Sequence, residues 1–226
     1  MALEAIRLEH IPATHRVYAA LFQDVSNAEF LHSQLLSRNS DFEYAFIDAS
    51  SVISRSQVLA AAYKGVSILL DGALKTPNVH SEIVCALSPS KNVRCPSPSR
   101  PERSFSAMPL HFTDAVAYTY QIAEAYRRWG ITPATKDVVV VKVVFPTADR
   151  PEPPTAEHVW SHLSEHVKGT PAALADAEIA KATDWPKVRK YYKLNGAPVL
   201  ERIKGEPERA KELEALVLTG MALKGI

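Results

Sequence analysis

"KDVVVVKVVF", residues 136–145, sets how the rest of the chain is read. Valine is stiff at its first side-chain torsion and fits a pleated strand better than a helix. A β-branched run interrupted only by Lys142, with no polar residue at every second place, predicts a central strand buried on both faces. A strand of that kind needs helices above and below it. The flanking sequence supplies them.

Working back from residue 136, "TDAVAYTYQIAEAYRRWGI" reads as a helix, capped at Thr113 or Asp114 and ended at Gly130. Before it lies "PSKNVRCPSPSRPERSFSAMP", 89–109, with five prolines and no periodicity, expected to be a flexible insertion. "SEIVCALS" is a short apolar run that suits a buried strand. "QVLAAAYKGVSILLDG" is a helix with an apolar stripe, capped by Ser54 or Ser56 and closed at Gly72. "FEYAFIDASSVI", 42–53, alternates as a strand does. "AEFLHSQLLS" follows the cap candidates Ser26 and Asn27, and "RVYAALFQDV", 16–25, is another strand. Beyond residue 145 come Pro146, Pro151, Pro153 and Pro154, then helices expected at 155–168, 171–182, 184–194 and 207–224. The order β-α-β-α-β-α-β followed by helices predicts an α/β protein. It has a mixed sheet, packed helices and C-terminal helical additions, in one domain over 1–226.

Composition narrows the function. Apolar residues make up 46% of the 226, enough for a sizeable core, and net charge is +1. The charge is uneven: residues 181–226 carry ten basic and six acidic side chains. That local excess is compatible with an acidic partner such as RNA, or with a solvated helical surface. Cys85 and Cys95 have no metal-ligand spacing, and Cys85 reads as a small hydrophobe. With no signal-peptide pattern, two cysteines suit a reducing compartment. No apolar run approaches the ~20 residues of a membrane span.

No GxGxxG, GxxxxGK[ST] or GxSxG occurs, so neither a nucleotide-phosphate loop nor a nucleophile elbow is signalled. "EHVWSHLSEHV" places His158, His162 and His166 four residues apart on one helix face, a spacing that can chelate a transition metal. It lacks HExxH and follows a proline cluster, where a solvated amphipathic helix is expected, so exposed histidines are the better explanation. Asp48 ends a strand, where catalytic acids occur, but spacing implies no partner and a turn or cap suffices. "DWPKVRKYYKLNG", 184–196, interleaves Lys187, Arg189, Lys190 and Lys193 with Tyr191 and Tyr192. Phosphate contact with base stacking would use such a set, and so would a docked helix whose lysines reach into water. "KELEALVLTGMALKGI" closes the chain with apolar residues around more than half of a helix. One stripe serves the chain's own core, and the rest asks for a partner.

Several stretches together resemble one family. They are "LFQDVSNAEFLHSQL" (21–35), "AFIDASSVISRSQVLAAAYKG" (45–65), "LKTPNVHSEIVCALSPSKNV" (74–93), "WGITPATKDVVVVKVVF" (129–145), "VRKYYKL" (188–194) and "ALVLTGMALKGI" (215–226). In this order, over most of the chain, they resemble the TPRKB-like subunit of the KEOPS (EKC) complex, which binds the PRPK-type atypical kinase. The Pro/Ser/Arg stretch interrupts the family pattern, and the helix after it ends WGI in place of FGI. The resemblance implies a non-catalytic subunit without cofactor, nuclear and cytoplasmic. It would bind and stimulate the kinase-like ATPase and help recruit tRNA by its 3′ CCA end. The complex forms threonylcarbamoyl adenosine at tRNA position 37, and the family is also tied to telomere maintenance. Carried onto this chain, the kinase contact falls on Leu216, Leu218, Met221, Leu223 and Ile226. The RNA candidates are Lys75, Asn78, Lys190 and Lys193. A metal-dependent enzyme built on the three histidines and a stand-alone RNA binder are the competing readings.

Overall fold

The computed structural model describes residues 2–89, 121–147, 150–203 and 205–223. The 89–109 insertion, apart from Pro89, lies outside them, as do Cys95 and Ile226. The strands are β1 (Glu4–Ile6), β2 (Arg16–Gln23), β3 (Ala45–Asp48), β4 (Val138–Val144) and β5 (Thr170–Ala172). The helices are α1 (Ala28–Leu36), α2 (Arg55–Leu70), α3 (Val79–Ala86) and α4, described over 121–129. They continue with α5 (Ala156–His166), α6 (Asp176–Ala182), α7 (Trp185–Tyr191), α8 (Pro198–Arg202) and α9 (Glu206–Ala222).

The valine run is the central strand. β2 pairs with β4 from Arg16↔Val144 to Phe22↔Val138, and β3 pairs on the other side from Ala45↔Val141 to Asp48↔Val138. β1 and β5 share the outer edge of β2, opposite Val17–Ala19 and Leu21–Gln23. Each of these pairings is antiparallel, where a mixed sheet was expected. A continuous apolar strand therefore arises here without parallel neighbours, because helices cover both faces. Val139, Val141 and Val143 meet residues of α2, α3, α4, α7 and α9. Val138, Val140 and Val144 meet α1 and α5 through Ala28, Leu31, Val159 and Leu163.

"SEIVCALS" is helix, not strand. Asn78 caps α3 by accepting the Ser81 N–H at 2.8 Å. Thr76 donates its backbone N–H and its hydroxyl to the buried Glu82 carboxylate, at 3.2 and 2.8 Å, which fixes the turn before the helix. His80 accepts the Val143 N–H at 3.1 Å through Nε2. The helix lies between the sheet and α2, so it is apolar nearly all round, and a short buried helix then has the same run as a buried strand. Gly65 on α2 makes the approach: a methyl there would stand 2.6 Å from Ile83 Cγ1 and 3.3 Å from Ile83 N.

Other boundaries shift for local reasons. The strand expected at 42–53 keeps only Ala45–Asp48, between two 3₁₀ turns capped by Asn39 and Asp48. The helix expected at 171–182 divides into β5 and α6. Asn27 precedes α1, but its side chain bridges to α5's end instead, donating to His166 O at 2.7 Å and accepting Lys168 N–H at 3.0 Å. β1 and α8 carry too few residues for periodicity to reveal.

Candidate functional site

The chain's last described helix divides its apolar residues between two duties. Leu213, Val217 and Met221 recur every four residues and are buried in the chain's own core, Met221 only 3% exposed. Gly220 stands over Pro89 and Tyr192, with 3.4 and 3.8 Å left for a methyl. Lys64 of α2 donates to the Met221 carbonyl at 3.0 Å, satisfying an orphan acceptor at the helix end. The expectation that Met221 faces a partner is therefore corrected: its position in the stripe turns it inward. Leu216 rests half-buried against the same core, and Leu218 is half-buried. Leu223, 57% exposed, offers apolar surface. On α2, which packs on α9, Tyr63 and Leu70 are seven residues apart on one face and are also exposed.

The four RNA candidates do not form one patch. Lys75 is exposed before α3, and Asn78 spends its carbonyl oxygen on the α3 cap. α3 begins beside Val143, at one end of β4. Lys190 and Lys193 are exposed on α7 and just beyond it. α7 packs on the 3₁₀ turn that follows β3, at the Val138 end. Five residues of β4 separate the two ends, or roughly 17 Å.

Near Lys190, Asp48 has a structural task. Its Oδ1 accepts the Ser50 N–H and hydroxyl at 3.0 and 2.7 Å. Lys187 Nζ bonds Asp48 Oδ2 at 2.6 Å and Ser50 Oγ at 2.7 Å, clamping α7 to the turn. Tyr192 completes the joint, donating to Leu87 O at 2.6 Å and accepting from Gln57 at 2.9 Å.

The three histidines face a cleft of about 860 Å³ between α5, the Ser40–Phe42 turn and the far end of β4. His162 Nδ1 is 2.9 Å from the Tyr44 hydroxyl, and its ring stacks on Tyr44. His162 and His166 both meet the edge of Phe42, with their own ring centroids 4.5 Å apart. Burial, then the neighbouring His166, lowers the His162 pKa. Among the described residues no three of His, Cys, Asp or Glu converge to hold a metal ion. The chelating reading of His158, His162 and His166 is corrected on that geometry: two of the rings are engaged in aromatic packing.

Lys142 also opens on this cleft, and the sequence reading passed over it. Its Nζ donates to Glu43 O at 2.5 Å and lies 4.7 Å from the centroid of the Tyr44 ring. Burial lowers its pKa from 10.5 to about 8, with Glu43 opposing and Arg150 assisting. The signal was one charge inside a run of valines. Burial also raises the Tyr44 pKa to about 12, helped by Asp41.

The fold and this surface define a helix-flanked antiparallel-sheet protein with an exposed apolar end on its last described helix. The family model described as kinase binding protein CGI-121 matches residues 22–95 and 115–225. The chain is 50% identical, over all of both chains, to the EKC/KEOPS complex subunit CGI121 of Gibberella zeae. It is 47% identical to the subunit of that name from Neurospora crassa, again over the whole of both. With the Schizosaccharomyces pombe subunit the identity is 26%, over 93% of this chain and 94% of the relative. The chain belongs to the kinase-binding CGI-121 family.

Proposed function

We propose that this chain is the non-catalytic subunit of an EKC/KEOPS complex that binds and stimulates the complex's PRPK-type kinase. Full-length similarity to subunits with that name supports the reading, and the end of α9 gives it a physical basis. Leu223 exposes an apolar side chain at a helix end, with Leu218 half-exposed one turn and a half before it. A buried apolar anchor in an interface is typically worth about 2 kcal/mol or more. Within the complex the subunit also helps recruit tRNA by its 3′ CCA end, for threonylcarbamoyl adenosine formation at position 37, in nucleus and cytoplasm. Lys75, Lys190 and Lys193 supply exposed charge for that step.

The test is capture of the kinase subunit by purified variants. Leu218→Arg with Leu223→Arg is expected to lose the kinase while the melting temperature stays near wild type. Retained capture at wild-type strength would refute the α9 contact. For tRNA, the assembled complex carrying Lys190→Glu and Lys193→Glu is expected to bind with a shallower salt dependence. An unchanged salt slope would remove these lysines from the contact.

A further inference from the structure

The chain's asparagines differ in what holds their carboxamides; Asn92 lies outside the described residues. Asn27 donates to His166 O at 2.7 Å and accepts the Lys168 N–H at 3.0 Å. Asn39 donates to Gln34 Oε1 at 2.8 Å and accepts the Asp41 N–H at 3.1 Å. Asn78 accepts the Ser81 N–H at 2.8 Å. Its backbone is set as well, since its main-chain oxygen accepts the Glu82 N–H at 3.2 Å. These side chains are fixed by the fold, and the residues after them, Ala28, Ser40 and Val79, all carry a β-carbon. Asn195 differs on each count. It and Gly196 after it are exposed, in the short link between α7 and α8. Among the described residues neither the Asn195 carboxamide nor the Gly196 N–H has a hydrogen-bond partner. The Ala197 N–H donates to Leu194 O at 3.3 Å, closing a turn with Asn195 and Gly196 at its centre. Gly196 takes φ +74° there, and nothing stands within 4 Å of where its β-carbon would be. The buried Tyr192 before the turn and Leu200 after it anchor the flanking helices, so the pair can move without disturbing the core.

We propose that Asn195 is a self-modifying site, where the free Gly196 nitrogen attacks the Asn195 side chain and the asparagine becomes aspartate or isoaspartate. Ring closure needs that nitrogen brought onto the carboxamide carbon, and glycine allows it because the missing β-carbon leaves both of its backbone torsions free. Solvent base takes the Gly196 N–H proton, and the nitrogen bonds to Asn195 Cγ, closing a succinimide ring. The bond from Cγ to Nδ2 breaks. The side-chain nitrogen leaves as ammonia, which takes up the proton that Gly196 gave to solvent. Water, the only co-reactant, then opens the ring. Opening at Cγ gives aspartate. Opening at the main-chain carbonyl gives isoaspartate, with the side-chain methylene now part of the backbone. Either product adds a carboxylate close in sequence to Lys190 and Lys193, so this basic stretch loses net positive charge as the protein ages. The reaction stands apart from the kinase contact and from any contact with tRNA.

The test is incubation of folded, full-length protein at neutral and mildly alkaline pH, beside a synthetic peptide of residues 190–199 as a clock. Samples are digested and each asparagine is followed by the mass change of an amide becoming an acid. Isoaspartate is detected by methyl transfer from labelled S-adenosylmethionine with a purified isoaspartate methyltransferase. Asn195 is expected to lose its amide at a rate within about tenfold of the peptide's, faster at the higher pH, and to give both products. Asn27, Asn39 and Asn78 should keep their amides over the same time. Gly196→Ala, whose β-carbon stands beside the attacking nitrogen, should slow the loss at least about tenfold. Asn195→Gln, which leaves the backbone of the turn as it is, should abolish the methyl transfer to this peptide. The proposal is overturned if the native protein reacts more slowly than one part in about ten of the peptide's rate. It is equally overturned if Asn27, Asn39 or Asn78 convert as fast as Asn195, or if Gly196→Ala reacts at the wild-type rate.

Discussion

Replacing Lys142 by Met should make the protein more stable at neutral pH. In the unfolded chain the amine titrates near 10.5, and in the fold at about 8. Below pH 8 both states hold the proton, so the wild-type fold carries the whole penalty. At 1.36 kcal/mol for each pH unit that difference is about 3 kcal/mol. Water entering by the cleft lowers the figure. So does loss of the Glu43 hydrogen bond and the Tyr44 ring contact, about 1 kcal/mol together. The net gain expected for Lys142→Met is about 1–2 kcal/mol at pH 7, read as a higher urea midpoint with unchanged slope. Between pH 8 and pH 10.5 the native amine is neutral while the unfolded one is still charged. Wild-type stability therefore climbs across that window, and the variant's advantage shrinks. A variant less stable than wild type at pH 7, or an advantage that ignores pH over this window, would refute the reasoning.

Gly65→Ala should cost about 2 kcal/mol or more, because its methyl would overlap Ile83 Cγ1 and press on the Ile83 backbone, and thermal unfolding checks it. Burial, then the charge of Lys142, holds His80 well below the usual histidine pKa. The unfolded chain therefore binds a proton near pH 6.5 that the fold refuses. Stability is complete above that pH and falls below it, by roughly 1.4 kcal/mol per pH unit from this group. His80→Gln should flatten that acid slope in urea titrations. An equal slope would exclude His80 as its source.

The family was legible in the chain because several short stretches match in order. The central strand was legible because six valines around one lysine leave little choice of local structure. The caps at Ser54 and Asp184 were legible too, since side-chain caps act within three residues. Tertiary structure alone decided that "SEIVCALS" is α3. Seven buried residues out of eight carry no period when nearly every side of the element is covered, and only the Gly65 approach and the cap at Asn78 separate helix from strand. The antiparallel order was equally hidden, since β4 enters between β2 and β3 from a distance of many residues. On α9 the sequence showed an excess of apolar residues but not which ones turn inward. Met221 and Leu223 are two residues apart, and contact with α2 leaves one buried and the other exposed. Lys142, Arg150, His158 and Tyr44 lie far apart along the chain, and no spacing rule joins them. Their meeting follows from the register of β3 on β4 and the placement of α5 over that face.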